Sequence, residues 1–152
     1  MSRRSAVTSF SGPAVVLDAQ AMSLLGEPDH HPDKRQLVGL LKAYEQAGFM
    51  VGLSVVTLAE QRRAGQAGQR LLWWSSRLIR VPVSEEIAEH ARDLLDAAGL
   101  DGHRSVVDAL VVATAATSPD QARVVSSDAS HIPKLCAAAS EGRPLAVEFR
   151  HV

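Results

Sequence analysis

The sequence lacks the residues that build disulfides, multi-cysteine metal sites and membrane spans. Its 152 residues include a single cysteine, Cys136, which excludes an intramolecular disulfide and a zinc site made of several thiolates. No apolar run approaches the ~18–20 residues that a membrane-spanning helix needs. The arginines near the N-terminus are not followed by the apolar stretch of a signal peptide. We therefore expect a soluble, cytoplasmic protein with no membrane contact.

The chain also lacks a net charge that would draw it to nucleic acid as a whole. It carries 16 Lys and Arg against 17 Asp and Glu, for a net charge of −1. The charges are unevenly spread, because the segment 61–80 contains no acid but five arginines: Arg62, Arg63, Arg70, Arg77 and Arg80. Such a patch is either a solvated helix face or a surface that contacts phosphate groups.

The length and the apolar content, 46% of residues, are those of one globular domain. We predict a flexible extension over residues 1–13 and a single domain over 14–152. Hydrophobic patterning predicts strands at 14–18, 49–53, 78–83, 122–126 and 145–149. Helices are predicted between them at 19–25, 34–47, 66–76, 84–98, 104–117 and 128–139, and one more begins after Ser54 or Thr57 as its N-cap and continues towards Gly65. This alternation indicates an α/β fold with a mostly parallel sheet.

Four acids lie where such a fold places ligands, near the carboxyl ends of strands. Asp18 and Asp128 directly follow predicted strands, Glu60 ends the segment after the second strand, and Asp108 lies in the apolar helix VVDALVVA. Each has a structural explanation by itself. Asp18 and Asp128 can cap helices, Glu60 has the spacing of a capping box with Thr57, and Asp108 can pair with Arg104 one turn earlier.

Taken together, the four acids indicate different chemistry. If they converge at one sheet edge, they repel one another, and a hard cation such as Mg²⁺ or Mn²⁺ would stabilise them. A site made of carboxylates, without a dedicated His or Cys, suits metal-assisted hydrolysis of a phosphodiester. We therefore predict a divalent-cation site at this edge.

The motifs resemble those of PIN domains, and more narrowly of VapC-type toxin ribonucleases. The resemblance covers residues 14–149 and is carried by VVLDAQAMSLL, SVVTLAEQRR, VVDALVVATA and VVSSDASHIPKL, in that order. It implies a three-layer α/β/α fold and an endoribonuclease of a type II toxin–antitoxin pair. It also implies an RNA substrate, a cognate antitoxin and a homodimer. The Mg²⁺ or Mn²⁺ ligands and catalytic residues would be Asp18, Glu60, Asp108 and Asp128, with Ser126 as a supporting hydroxyl.

Two positions depart from the family pattern. Ser105 stands where relatives often carry an additional aspartate, and His131 stands where many have Asp. We expect altered metal affinity. A catalytically weakened PIN-like module that binds RNA or a protein partner is the alternative. A phosphoacceptor receiver domain is a third possibility, but Asp18 is not one of a pair of acids and Lys134 lies inside a predicted helix.

The remaining candidates concern binding surfaces. Because Arg62, Arg63 and Arg70 follow Glu60 closely, we predict that they contact RNA phosphates. Trp73 and Trp74 cannot share one helix face fully, so we expect one in the core and one at a subunit or partner interface. Cys136 lies in an alanine-rich helix and is predicted to be a core residue.

Overall fold

The computed structural model describes residues 7–61 and 63–152, and in this part of the chain five strands alternate with seven helices. The strands are β1 (Ala14–Leu17), β2 (Met50–Ser54), β3 (Ile79–Val81), β4 (Ala122–Ser126) and β5 (Val147–His151). The helices are α1 (Ala19–Leu25), α2 (Pro32–Gln46), α3 (Val55–Glu60), α4 (Gly65–Arg77), α5 (Glu85–Ala98), α6 (Gly102–Ala115) and α7 (His131–Ser140). None of these helices is both long enough and apolar enough to cross a membrane.

The strands form one sheet in the order β3-β2-β1-β4-β5, and every neighbouring pair is parallel. The predicted α/β class with a mostly parallel sheet is confirmed. The order differs from the 2-1-3-4-5 order of receiver-type domains, so the hypothesis of a phosphoacceptor receiver domain is not supported. Strands β2 and β3 lie on one side of β1, and β4 and β5 lie on the other, so the strand order reverses at β1. Ligand sites of open α/β sheets lie at such a point, beyond the carboxyl ends of the strands.

Side chains of β1 alternate between two helical layers, because successive residues of a strand point to opposite faces. Ala14 and Val16 pack into a core with α5, α6 and α7. Val15 and Leu17 pack into a second core with α1, α2 and α4. All four are fully buried, as expected for a parallel sheet that is covered on both faces. The predicted three-layer α/β/α arrangement is confirmed.

The helix predicted to continue towards Gly65 ends too early to match that prediction, whereas Ser54, one of its two predicted N-caps, is confirmed. Ser54 is the N-cap of α3 and accepts a hydrogen bond from the Val56 N–H at 3.3 Å. The helix ends at Glu60, and α4 begins only at Gly65, which has a φ of +68°. Since Ser54 caps the helix, Glu60 is its last residue. The capping-box interpretation of Glu60 is wrong.

Two helices start where polar side chains, not the apolar pattern, set the boundary. Helix α7 begins at His131, three residues later than predicted, because the Asp128 carboxylate accepts the N–H groups of Ser130 and His131 in a preceding turn. Helix α2 begins at Pro32, two residues earlier than predicted. Its N-cap is His31, and a Pro at the first helical position is favourable.

The N-terminal part of the predicted extension, residues 1–6, lies outside the described residues. In the following segment, Phe10 is 6% exposed and packs into the same core as α5, α6 and α7. The boundary at residue 14 stays a prediction. Cys136 also belongs to this core, at 3% exposure, and burial raises the pKa of its thiol to about 12.

Candidate metal centre

Asp18 anchors the site at the point where the strand order reverses. It follows β1, and its backbone N–H donates to the Val125 carbonyl of β4 at 3.2 Å. As the N-cap of α1, its Oδ1 accepts the Ala21 N–H at 2.9 Å. Its Oδ2 accepts a hydrogen bond from the Ser126 hydroxyl. With both oxygens engaged and 4% exposure, this carboxylate has a fixed position.

Ser126 joins the acids that follow β1 and β4. While its hydroxyl donates to Asp18, the same oxygen accepts the Asp128 N–H at 2.9 Å. Asp128 then uses Oδ1 alone to accept from the Ser130 N–H, the Ser130 hydroxyl and the His131 N–H, at 2.8, 2.7 and 3.1 Å. Within the described residues, no hydrogen bond is made to its Oδ2. That oxygen lies 4.0 Å from Nδ1 of His131.

Asp108 and Glu60 approach Asp18 and Asp128 from two helices, α6 and α3. The four carboxylates line one cavity of about 150 Å³, together with apolar and amide side chains of α1 and α6: Ala19, Gln20, Val107 and Val111. Asp108 is partly buried, whereas Glu60 is exposed. The structure therefore brings all four acids around a single cavity. Their roles as catalytic residues and metal ligands stay predictions.

The electrostatics show that negative charge is costly in this cavity. Burial first, and then the charges of Asp128 and Asp18, raise the pKa of Asp108 to about 6. Burial also raises the pKa of Asp18, although its hydrogen bonds with Ser126 and Ala21 act in the opposite direction. Partial burial of its carboxylate in the cavity, and then the charge of Asp18, raise the pKa of Glu60, although the residue as a whole is exposed. Three carboxylates thus favour either a proton or a cation.

Asp128 behaves differently from the other three acids. Burial acts to raise its pKa, but the hydrogen bonds from Ser130 and His131, together with the nearby imidazole, outweigh it and lower the pKa overall. Asp128 is therefore the acid of the cluster that stays ionised most readily. Its negative charge is one of the causes that raise the pKa of Asp108.

The donor set fits a divalent cation. In residues 7–61 and 63–152, no Lys or Arg forms an ion pair with any of the four acids, and the pairing of Asp108 with Arg104 is not formed. Carboxylate oxygens are the donors that Mg²⁺ and Mn²⁺ prefer. One ligand atom each from Asp108, Asp128 and His131 lies within 4.8 Å of the other two.

Sequence reasoning missed two glutamines at this site. Gln20 lines the cavity, and its Oε1 accepts the Ser127 hydroxyl hydrogen at 2.6 Å. Gln61 donates from Nε2 to the Ala19 carbonyl at 3.0 Å and so fixes the end of α3, which carries Glu60, against α1. No sequence pattern identified either residue. Ser105, the departure on α6, is 1% exposed and does not line the cavity.

Two of the three arginines predicted to bind RNA, Arg63 and Arg70, contact the end of α1 and the loop after it. Arg63 donates to the Ser23 carbonyl at 3.1 Å and pairs with Glu27 at 3.3 Å. Arg70 donates from Nε to the Gly26 carbonyl at 2.7 Å. Arg62 lies outside the described residues. The contacts of Arg63 and Arg70 hold this loop next to α4, and RNA binding by all three arginines stays a prediction.

The two tryptophans of α4 divide as the helical spacing predicts. Trp74 is partly buried against the core of α1 and α2, whereas Trp73 is 50% exposed and Leu72 is 72% exposed. The Arg77 guanidinium lies 4.1 Å from the centre of the Trp73 ring. This exposed face is the apolar surface available for an interface.

Comparison with solved structures identifies the architecture. A chain of VapBC2 from Rickettsia felis, solved bound to a DNA fragment from the promoter, is similar with a TM-score of 0.61 and 16% identity, over 91% of this chain and 98% of that one. A chain of FitAB, solved bound to the IR36 DNA fragment, is similar with a TM-score of 0.58 and 18% identity, over 90% and 94%. The chain has a PIN-like fold.

The resemblance seen in the motifs is thereby confirmed at the level of the fold. No family model and no curated protein sequence matches the chain. At 16% and 18% identity, the similarity to these two structures concerns architecture and not chemistry. The function must therefore be argued from the site itself.

Proposed function

We propose that the protein is a divalent-metal-dependent endoribonuclease and the toxin of a type II toxin–antitoxin pair. One observation carries the proposal: four acids from four separate segments converge on one cavity, and no described Lys or Arg forms an ion pair with any of them. Such a cluster lowers the stability of the metal-free fold. A cation bound there offsets that cost.

In this proposal each acid has a role that follows from its contacts. Asp18 and Asp128 are held by hydrogen bonds on at least one oxygen and would position the cation. Asp108 completes the ligand set from α6. A bound Mg²⁺ or Mn²⁺ supplies a more acidic water and neutralises charge on the attacked phosphate. Glu60, exposed at the end of α3, would accept a proton from the water that enters the cavity.

The test of the catalytic role is cleavage of a single-stranded RNA in Mn²⁺ or Mg²⁺. Asp108→Asn keeps the shape of the side chain and removes its charge, so we expect loss of cleavage with the fold retained. Asp96→Asn is the matched control, because Asp96 is exposed on α5 and does not line the cavity. Cleavage by the wild type that survives an excess of chelator would contradict the proposal.

The alternative is a non-catalytic PIN-like module that binds RNA or a protein. It is motivated by Ser105 and His131, which replace acids of the family pattern. The convergence of the four core acids favours the enzyme. A titration separates the two functions, since the module would bind metal or RNA without cleaving RNA under any metal condition.

An antitoxin partner is proposed from the structural neighbours. Chains of the same fold occur in the VapBC2 and FitAB structures, each solved with a DNA fragment. We propose that a cognate antitoxin covers the acidic cavity of this chain in the cytoplasm. A short reading frame that encodes a DNA-binding protein directly upstream of the gene would support this assignment, and co-purification of the two products would test it.

Binding of RNA by the segment after Glu60 is proposed from its charge. If Arg62 and Arg63 contact phosphates, their replacement by Ala weakens RNA binding and flattens the dependence of affinity on salt. Arg77→Ala is the control, because that guanidinium lies over Trp73 instead. Equal affinities of the double variant and the wild type at low and at high salt would contradict this proposal.

A homodimer is proposed from the resemblance and from the exposed Leu72 and Trp73. These two side chains present apolar area that the monomer leaves in contact with water. Light scattering at micromolar concentration measures the mass. A monomeric mass would count against the dimer.

A further inference from the structure

His131 lies next to Asp108 and Asp128 of the acidic site, at a position where many proteins of the family it resembles have Asp. It is the first residue of α7, and its backbone N–H donates to Asp128 Oδ1 at 3.1 Å. That bond fixes the start of the helix and so places the imidazole beside the Asp128 carboxylate. The side chain is 41% exposed. A water-accessible imidazole therefore lies beside two of the acids that line the cavity.

The imidazole is not committed to another polar group. In the described part of the chain, neither ring nitrogen takes part in a hydrogen bond. Its Nδ1 atom lies 4.0 Å from the carboxylate oxygen Oδ2 of Asp128. That oxygen is also without a hydrogen bond among the described residues. An imidazole nitrogen and a carboxylate oxygen, two kinds of atom that can bind a cation, thus lie at a distance too long for a hydrogen bond.

This spacing matches ligands that share one cation. Metal–oxygen and metal–nitrogen bonds of about 2.0–2.2 Å place two ligand atoms on opposite sides of a cation about 4.2 Å apart. Ligand atoms of Asp108, Asp128 and His131 all lie within 4.8 Å of one another. Small side-chain rotations would therefore bring all three atoms into coordination distance.

We propose that His131 is a nitrogen ligand of the divalent cation and makes the site selective for Mn²⁺ over Mg²⁺. The inference rests on the proposed function, because it concerns the same cation. Both ions prefer oxygen donors, but Mg²⁺ binds them almost exclusively, whereas Mn²⁺, as a first-row transition metal, also accepts a nitrogen ligand. One nitrogen in place of one carboxylate oxygen shifts the affinity order towards Mn²⁺.

Calorimetric titration of the metal-free chain with Mn²⁺ and with Mg²⁺ at pH 8 measures the two affinities. We expect Mn²⁺ to bind more tightly, and His131→Asn to lower the Mn²⁺ affinity by at least about tenfold, the scale of changes near metal sites. His131→Asp restores a carboxylate and should narrow the Mn²⁺ to Mg²⁺ ratio. His103→Asn is the control, because His103 is an exposed imidazole at the start of α6.

Pulsed electron paramagnetic resonance of bound Mn²⁺ gives a readout that does not depend on activity or affinity. A coordinated imidazole produces a ¹⁴N coupling, which we expect in the wild type and in His103→Asn but not in either His131 variant. If Mn²⁺ binds without that coupling, and its affinity is the same in His131→Asn, then His131 is not a ligand and the acidic site stands. If the wild type binds neither cation, both this inference and the proposed function are overturned.

Discussion

The oxygen atoms at the two edges of the sheet have different partners. At the amino edge, the Arg143 guanidinium donates hydrogen bonds to the backbone carbonyls of Ala116, Ser118 and Asp120 at 3.1, 3.2 and 2.8 Å. At the carboxyl edge, four carboxylates surround a cavity, and no described Lys or Arg forms an ion pair with them. Among the described residues, the amino edge thus has a basic side chain on its oxygen atoms, and the carboxyl edge has none paired with its acids.

The difference separates stability from function. At the amino edge, the Arg143 side chain connects the C-terminal end of α6 and the loop after it to the segment before β5. It therefore contributes to the free energy of unfolding. At the carboxyl edge the raised pKa values of Asp18, Glu60 and Asp108 mean that ionisation costs free energy. A sheet edge that stores such a cost is suited to binding a cation from solution.

The largest expected effect is at the amino edge. Arg143→Ala leaves four carbonyl oxygens, including that of Leu145, without their donor, so we expect the free energy of unfolding to fall by about 2–3 kcal/mol. The loss should be equal in chelator and in Mn²⁺, because this edge is independent of the metal. Urea unfolding measures it. The control is Arg92→Ala, since the Arg92 side chain is 70% exposed.

If the loss caused by Arg143→Ala changes when Mn²⁺ replaces chelator, the two edges are coupled and the comparison fails. If the loss is no larger than that of Arg92→Ala, the carbonyl contacts do not stabilise the fold.

An effect of opposite sign is expected at the carboxyl edge. The folded-state pKa of Asp108 is raised from 3.8 to about 6, so the folded state binds more protons than the unfolded state between these values. Stability without metal therefore falls as the pH rises through that window, and the penalty is fully present above about pH 6. Asp108→Asn removes it. We expect the variant to be more stable than the wild type by about 1–3 kcal/mol at pH 8 in chelator.

Urea unfolding of both proteins from pH 4 to pH 8 tests the sign. The difference should shrink towards pH 4, where Asp108 of the wild type is protonated. A variant that is less stable than the wild type at pH 8 would mean that the charge of Asp108 stabilises the fold, as it would if Asp108 paired with an arginine.

A smaller effect is expected at Ser126, which joins the acids of β1 and β4. Ser126→Ala removes the hydroxyl that donates to Asp18 and leaves the Asp128 N–H without its acceptor. We expect a loss of about 1 kcal/mol in chelator and a further rise in the pKa of Asp18. Ser127→Ala, one residue later, is the control, because its hydroxyl bonds Gln20 at the exposed surface. Equal stability of the two variants would show that the Ser126 link contributes nothing.

The sequence predicted the class of the fold because buried strands and amphipathic helices have different periods. It left two candidates for the start of α3, and it did not predict where α3 ends or where α7 begins. Those boundaries depend on single polar contacts, such as the Ser54 hydroxyl at the start of α3 and the Asp128 carboxylate before α7. Contacts of this kind compete with the apolar pattern and leave little trace in it.

The acids of the site were predictable for a related reason. Asp108 interrupts an apolar helix, and Asp18 and Asp128 follow apolar strands, so each is conspicuous in the sequence. Gln20 and Gln61 are not, because a glutamine at a helix end is common and carries no charge. Their contacts depend on how α1 and α3 pack, and packing is decided by the whole chain.

If a divalent cation binds among the acids at the carboxyl edge of the sheet, thermal unfolding with and without Mn²⁺ detects it as a change in Tm. Binding to the folded state alone stabilises by RT ln(1 + [L]/Kd), about 2.7 kcal/mol at a hundredfold excess over Kd. We expect the Tm of the wild type to rise with Mn²⁺, and the Tm of Asp108→Asn, which melts above the wild type in chelator, hardly to change. Equal responses of the two proteins to Mn²⁺, or a lower Tm of Asp108→Asn in chelator, would contradict this expectation.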